Sequence, residues 1–359
     1  MLALVSTLTG PPVNHYQPRD ESDLPMLSSI ITTINPPSPS VQELARKHRE
    51  LQLGKIIIVG DQKGPSTYEL DSTYLLDIDV QDDIFPTISR KLPRNNYARK
   101  NLGYLFAIRE GASYLYETDD DNSPNASWAP RASDLINHKE VATQPGWVNV
   151  YSYFSSEHIW PRGLPLSEVT TPPIALNEAI GHAFSPIQQG LANKSPDVDA
   201  IWRLTLDRPF EFEPSITDTV YLPKGVWSPF NSQSTWWWPV AYSLMYLPSY
   251  CSFRMCDIWR SFVAQRCLWE FGAGISFHPP EVEQDRNEHD LDKDFEDEVP
   301  GYLLNNKIVK SLGSLNLKKG VDNVSDNLKA CYRSLVDEAI FPSEELTLLD
   351  LWLEELHSA

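Results

Sequence analysis

Tyr114–Pro124, YLYETDDDNSP, is the stretch from which the fold can be read. Its short apolar, aromatic run reads as a strand, and it runs straight into three adjacent carboxylates, Asp119, Asp120 and Asp121. Like charges packed this closely raise one another's cost of ionisation. Either the acids form a solvated loop or a cation belongs among them.

Upstream of that strand the pattern alternates. SSIITTINPPSPS (28–40) is a β-branched run that stops at two prolines, a strand entering a loop. SVQELARKHREL has helix-former composition, with Ser40 as the expected N-cap and Glu43 completing a capping box. KIIIVGD (55–61) is an apolar strand without alternation, as expected where both faces of a parallel sheet are covered. STYLLDID reads as a further strand, and NNYARKNLGYLFAIREGA (95–112) as a helix stopped at Gly111. The order β-α-β-…-α-β predicts a doubly wound α/β sheet, whose ligands bind at the carboxyl ends of the strands. Three such ends are polar: Thr32, Thr33 and Asn35; Asp61; and Asp119 to Asp121.

Charge narrows the partners. The chain carries a net charge of -19, which argues against a phosphate-backbone binder, so nucleic acid is not an expected partner. From Glu281 to Glu298 ten acids face two bases, and this run is expected to be a solvated, mobile loop. Four cysteines show no CxxC or zinc-ligand spacing and read as buried free thiols. No run reaches the about 18 apolar residues of a membrane span, and the start lacks a basic signal region. The triplets at Asn125, Asn193 and Asn323 are no more than chance supplies.

Neither GxGxxG nor GxxxxGK[ST] occurs. The acids are no EF-hand either, since Pro124 stands where that loop needs glycine. What remains is a strand-end Asp-Asp-Asp with Arg99 and Lys100 on the preceding helix. That set suits a nucleoside diphosphate bound through Mn²⁺ or Mg²⁺: Asp119 and Asp121 would hold the metal, and a basic side chain would neutralise the diphosphate. Read as Asp119-x-Asp121, it is the DxD element of GT-A-type nucleotide-sugar transferases. Thr32, Thr33, Asn35, Asp61 and Asp120 would complete the nucleotide-sugar site.

The blocks TTINPP, IIIVGD, YARKNLGYLFAIREGA and DDDN resemble, in this order, the STELLO-type glycosyltransferases. The resemblance continues through GLANKSPDVDAIWRL, PFNSQSTWWWP, SFRMCDIWRSFVAQRCLWEFG and HPPEVEQDRNEHD, covering roughly residues 31–290. A more distant similarity is to the reversibly glycosylated polypeptides, which include UDP-arabinopyranose mutases. Both imply a GT-A-like fold and a UDP- or GDP-sugar ligand. Plant members of the first family carry a membrane anchor ahead of this region. None is found here, so a cytoplasmic or soluble intracellular protein is expected, Golgi-associated only if an anchor or partner is supplied elsewhere.

The second half must bind a carbohydrate or glycoconjugate acceptor. Asp257 stands where a helix N-cap belongs; the resemblance favours a catalytic carboxylate instead. Arg260 could pair with phosphate or with Asp257. In WSPFNSQSTWWWP, Asn231 could bond sugar hydroxyls while Trp237 and Trp238 present faces for stacking, or the tryptophans could be core. At least one of three consecutive tryptophans is expected on a cleft wall. GT-A enzymes frequently recruit a third metal ligand late in the domain, and His278 is the candidate, ahead of His289.

The expected organisation is an arm (1–27), a GT-A-like domain (28–300) and a helical C-terminal segment (301–359) that caps the domain or forms a homodimer face. The expected reaction is metal-dependent glycosyl transfer to a hydroxyl. A nucleotide-sugar mutase and a non-catalytic scaffold are the alternatives.

Overall fold

A computed structural model describes residues 26–142, 144–206, 208–286 and 290–358. Most of the expected N-terminal arm and His289 lie outside the described residues. The chain begins its sheet with β1 (Leu27–Thr32), β2 (Ile56–Val59), β3 (Thr73–Leu76) and β4 (Tyr114–Thr118). These four are mutually parallel, in the order β3-β2-β1-β4. Between them run the helices α1 (Pro39–Glu50), α2 (Ile78–Ile84), α3 (Pro86–Lys91) and α4 (Lys100–Arg109).

The remaining strands are β5 (Asn122–Pro124), β6 (Asp134–Val141), β7 (Gly146–Trp147), β8 (Leu176–Phe184) and β9 (Ile187–Asn193). They are followed by β10 (Val220–Leu222), β11 (Val226–Trp227), β12 (Ser234–Trp237) and β13 (Ile275–Gln284). Antiparallel β12 joins β4 to β9, and the sheet continues through β13, β10, β6 and β8. β5 pairs with the end of β13, while β7 and β11 form a separate small sheet. The second-half helices are α5 (Ala200–Leu206), α6 (Cys256–Leu268), α7 (Leu291–Ser314), α8 (Val324–Asp337) and α9 (Glu344–Ser358).

Strand alternation divides the core in two. Ile30, Ile57, Val59, Leu115 and Trp237 face the large cluster that includes α4, α6, α8 and α9. Ile31, Ile56, Ile58, Tyr114, Tyr116 and Trp236 face the smaller one, under Val41, Leu44 and Ala45 of α1. Both faces of the sheet are thus covered, which is why IIIV shows no polar alternation. Burying each large aliphatic side chain contributes about 1.5–3 kcal/mol.

Several local expectations are corrected. Ser38, not Ser40, caps α1, accepting from the Val41 amide at 3.2 Å, with Pro39 in the first turn, where its missing N–H costs nothing. β13 does not stop at His278; it runs on through Pro279 and Pro280, with register shifts against β9 that absorb the lost donors. Most of the described part of the acidic run is strand or helix rather than a solvated loop. Glu281 is buried, accepting from Trp236 Nε1 at 2.7 Å and Ser234 Oγ at 2.6 Å and pairing with Arg131. The later acids open α7, whose first turn carries Asp292 and Asp294 where the helix dipole favours them. α7 also runs across the expected boundary at 300/301. All four cysteines are free. No helix among the described residues is long and apolar enough to cross a membrane.

Candidate functional site

A cleft of about 450 Å³ opens at the carboxyl ends of β1, β2 and β4. It gathers residues from the whole chain: Thr32, Thr33, Asn35 and Asp61 from the first two strand ends, Asp119 to Asp121 from the fourth, then Asn231, Asp257, Gln284 and four arginines. Parallel strands point their free ends one way, and antiparallel β12 enters from the same side, so the residues before it join them.

The three aspartates are held differently. Asp120 ties the loops together: its Oδ2 accepts from Thr33 Oγ1 at 2.5 Å and Asn35 Nδ2 at 2.9 Å, and its carbonyl accepts from Ser38. Asp119 Oδ1 accepts from the Tyr97 hydroxyl at 2.6 Å and from Lys100 Nζ at 3.1 Å; Lys100 is fully buried and also donates to Tyr97. Desolvation in the cleft still pushes the Asp119 carboxyl above its usual range. Asp121 accepts from Gln284 Nε2 at 3.0 Å, and burial beside Asp119 and Asp120 pushes its carboxyl up to about 7.

No three His, Cys, Asp or Glu side chains among the described residues converge as a ready-made metal cage. The donor set still fits a hard divalent cation that keeps its remaining positions for water and phosphate, because such ions need only one or two carboxylates. Asp119 Oδ2 has no described partner, and Asp121 is a carboxyl short of positive charge.

Asp257 reaches the cleft from the first turn of α6. It does not cap the helix. Arg162 grips both of its oxygens at 3.1 Å, Ser232 donates twice at 3.2 Å, and the Ile258 amide donates at 2.9 Å. These five donors fill the carboxylate's lone pairs and fix its orientation toward the cleft. Ser232 Oγ also lies 2.7 Å from Tyr97, linking Asp257 to Asp119. Asn231 bonds Gln189, and its Nδ2 donates to Asp197 at 2.8 Å.

Other expected residues lie elsewhere. Arg99 is fully buried, bonded to Gln81, Ser89 and the Leu92 carbonyl, and burial brings its pKa down to about 10. It ties α2 and α3 to the start of α4 and does not line the cleft. Arg260 pairs with Glu117, not Asp257, at 2.7 and 3.0 Å in the core. Trp237 is fully buried and donates to Glu117 at 2.9 Å, while Trp238 stacks on Tyr114 at 5.7 Å. The expectation that a tryptophan must flank the cleft fails because β12 is central, with a core on each face. His278 bonds Thr219 at 3.0 Å and Gln188 at 2.9 Å, away from the aspartates, and burial holds it neutral.

Sequence reasoning missed Tyr97 and the arginines Arg162, Arg203, Arg254 and Arg286. Arg203, Arg254 and Arg286 stand in three of the blocks that carried the family resemblance, which was their one signal.

A parallel strand-end cleft in a large mixed sheet, with helices on both faces, makes this a mixed α/β protein consistent with the GT-A-like nucleotide-sugar transferase fold. The pattern of the STELLO glycosyltransferases matches residues 254–359. The chain is 27% identical over 325 residues to the "Probable glycosyltransferase STELLO1" of Arabidopsis thaliana, covering 84% of this chain and 41% of that protein. It is 30% identical over 247 residues to "Probable glycosyltransferase STELLO2" of the same plant, covering 64% and 32%. These matches bear out the resemblance to the STELLO-type family; the chain spans less than half the length of the relatives it matches. A solved structure titled "Crystal Structure of a Mycobacterial Protein" aligns over 89% of this chain and 76% of that one, at 7% identity and TM-score 0.36, too low to carry an argument.

Proposed function

We propose that the cleft transfers a glycosyl unit from a UDP- or GDP-sugar to a hydroxyl of a carbohydrate or glycoconjugate acceptor, assisted by Mn²⁺ or Mg²⁺. In that reaction the bond from the anomeric carbon to the diphosphate oxygen breaks, a bond to the acceptor oxygen forms, and the acceptor proton passes to the departing diphosphate. The observation that carries the reading is the pair Asp119 and Asp121 at a parallel strand end, inside the one cleft that also collects Thr32, Asn35 and Asp61. A metal held by Asp119 and Asp121 would supply positive charge to the departing diphosphate.

The chain's own residues do the rest. Lys100 and Tyr97 fix Asp119 Oδ1 and leave its other oxygen toward the ligand. Asp120 fastens the β1–α1 loop, so Thr32, Thr33 and Asn35 form a preset wall for the nucleoside. Thr32 Oγ1 is buried in this wall without a partner among the described residues, a hydrogen-bonding group in reserve for a ligand. The Asp257–Arg162 pair, with Ser232, holds the far side of the cleft rigid for the acceptor.

The test is calorimetry of UDP- and GDP-sugars with and without Mn²⁺. Wild type should bind at least one of them more tightly with the metal, and Asp121→Ala should lose that metal-dependent gain while remaining folded. Identical nucleotide affinities in the two proteins would sink the reading. Interconversion of sugar ring forms without any acceptor would turn it toward a mutase.

A further inference from the structure

Four arginines line the cleft, and three of them have carboxylate partners. Arg162 pairs with Asp197 and Asp257, Arg254 with Glu298, and Arg286 with Asp294. Arg203, on α5, differs. Its Nη1 donates to the Ser195 hydroxyl at 3.1 Å and its Nη2 to the Pro196 carbonyl at 2.7 Å, while Nε is buried with no partner among the described residues.

Arg203 is 8% exposed. A buried guanidinium with no carboxylate hydrogen-bonded to it among the described residues is costly, because attraction offsets too little of its desolvation. Two acids attract it from nearby, Asp197 and Glu298, and both are already used. Arg162 takes both Asp197 oxygens, at 2.8 and 2.7 Å, with Asn231 on one of them, and Glu298 is held by Arg254 and the Ala200 amide. Burial and the neighbouring Arg286 and Arg254 bring the Arg203 pKa down to about 10. Three guanidinium groups therefore share one concave wall, and Arg203 alone among them has no carboxylate hydrogen-bonded to it among the described residues, so a ligand anion would supply one.

The chain places this wall next to the aspartates. Gln284 donates to Asp121 Oδ2 at 3.0 Å, the Asp285 amide donates to the Asp121 carbonyl at 3.1 Å, and Arg286 is the next residue. A planar guanidinium matches phosphate oxygens in bidentate fashion, and two of them suit a multiply charged group better than a single carboxylate.

We propose that Arg203, with Arg286 beside it, forms a metal-independent anion subsite of the cleft that takes a phosphoryl group of the substrate. On the nucleotide-sugar reading, that group is the donor's diphosphate, and these two arginines fill the role the sequence suggested for Arg99.

The probe is inorganic pyrophosphate, titrated by calorimetry in EDTA. Wild type should bind it, Arg203→Gln should weaken binding at least about tenfold, and Arg203→Lys should fall between. Asp121→Ala should keep it. The melting temperature of ligand-free Arg203→Gln should equal or exceed that of wild type, since an uncompensated buried charge is removed; this separates lost binding from lost folding. If UDP or GDP displaces pyrophosphate, the subsite serves the donor; if pyrophosphate binds together with Mn²⁺–nucleotide, it serves a phosphorylated acceptor. Absence of pyrophosphate binding by wild type, or equal affinity in Arg203→Gln, overturns the subsite. Failure of the nucleotide reading would look different: pyrophosphate binding through Arg203 with no response to either nucleotide in Mn²⁺.

Discussion

His48, on the inner face of α1, is 1% exposed, with the Gly54 carbonyl 2.7 Å from Nδ1 and the Ser29 hydroxyl 2.7 Å from Nε2. A carbonyl can only accept, so Nδ1 carries the proton and Nε2 accepts from Ser29. Protonating Nε2 would bury a charge, and desolvation brings the pKa down to about 4. Because the folded value lies below the unfolded one, near 6.5, the unfolded chain takes up the proton first. The neutral imidazole's contribution is therefore full above pH 6.5 and is lost as pH falls toward 4, by about 3 kcal/mol. Urea denaturation at pH 7.5 and pH 4 should show wild type losing more stability than His48→Gln by about that amount; parallel losses would mean that His48 is not the titrating group. The same burial that silences His48 explains which site residues the sequence revealed. Asp119 to Asp121 could be read because a strand end is local information. Arg260 and Trp237 could not, because Glu117, which claims both, is far away in sequence, and Arg99 could not, because Gln81 and Ser89 reach it only through the packing of α2 and α3 against α4.

Helix α4 carries on its first turn Lys100, which holds Asp119 from below the cleft, and lies against the parallel strands. Gly103 makes that approach possible: a Cβ there would come within 2.5 Å of Val59 Cγ2 and 2.8 Å of Ile30 Cγ2. Both neighbours are β-branched, with little rotamer freedom to retreat. Gly103→Ala should therefore destabilise by about 1–3 kcal/mol, although alanine is by about 1 kcal/mol the better helix former. Adding Val59→Ala should restore part of the loss relative to Val59→Ala alone, as a double-mutant cycle would report; strict additivity would exclude the clash. The elements easiest to read were β1, β2, β4 and α4, whose apolar runs are long and clearly punctuated. β13 was misread because Pro279 and Pro280 normally end a strand, and here bulges accommodate them. The run from Glu281 looked like a solvated loop because the cations of its buried acids, Arg131 for Glu281, Arg254 for Glu298 and Arg286 for Asp294, are not adjacent to them in sequence.

At the scale of the molecule, the C-terminal helices test whether the sheet and the helical layer are separable. The region matched by the family pattern, residues 254–359, contains α6 to α9 and the central strand β13, and it lends Arg254, Asp257, Gln284 and Arg286 to the cleft, but not the strand end with the three aspartates. α9 is bound into the core. Glu345 is fully buried and accepts from the Tyr246 hydroxyl, from the Ser249 amide at 3.1 Å and from the Tyr250 amide at 2.8 Å. Trp352, also fully buried, donates to the Ser243 carbonyl at 3.1 Å and meets Tyr104 edge to face at 6.4 Å. Tyr104 in turn donates to Glu117, the partner of Arg260, so α9 supports the ion pair behind β4. Leu348, Leu349, Trp352 and Leu353 together bury side chains worth about 1.5–3 kcal/mol each, a sum comparable with the about 5–15 kcal/mol that holds a domain folded. Deleting residues 344–359 should therefore abolish the cooperative thermal transition of the whole chain, measured by near-ultraviolet circular dichroism, and not merely shave a few degrees from it. Glu345→Gln keeps the size but weakens the acceptor for two amides and a phenol, and should lower the transition temperature while leaving it cooperative. A truncated chain that melts near the wild-type temperature would make the last helix a detachable cap, and α4, with the lysine that holds Asp119, would then owe its position to the sheet alone.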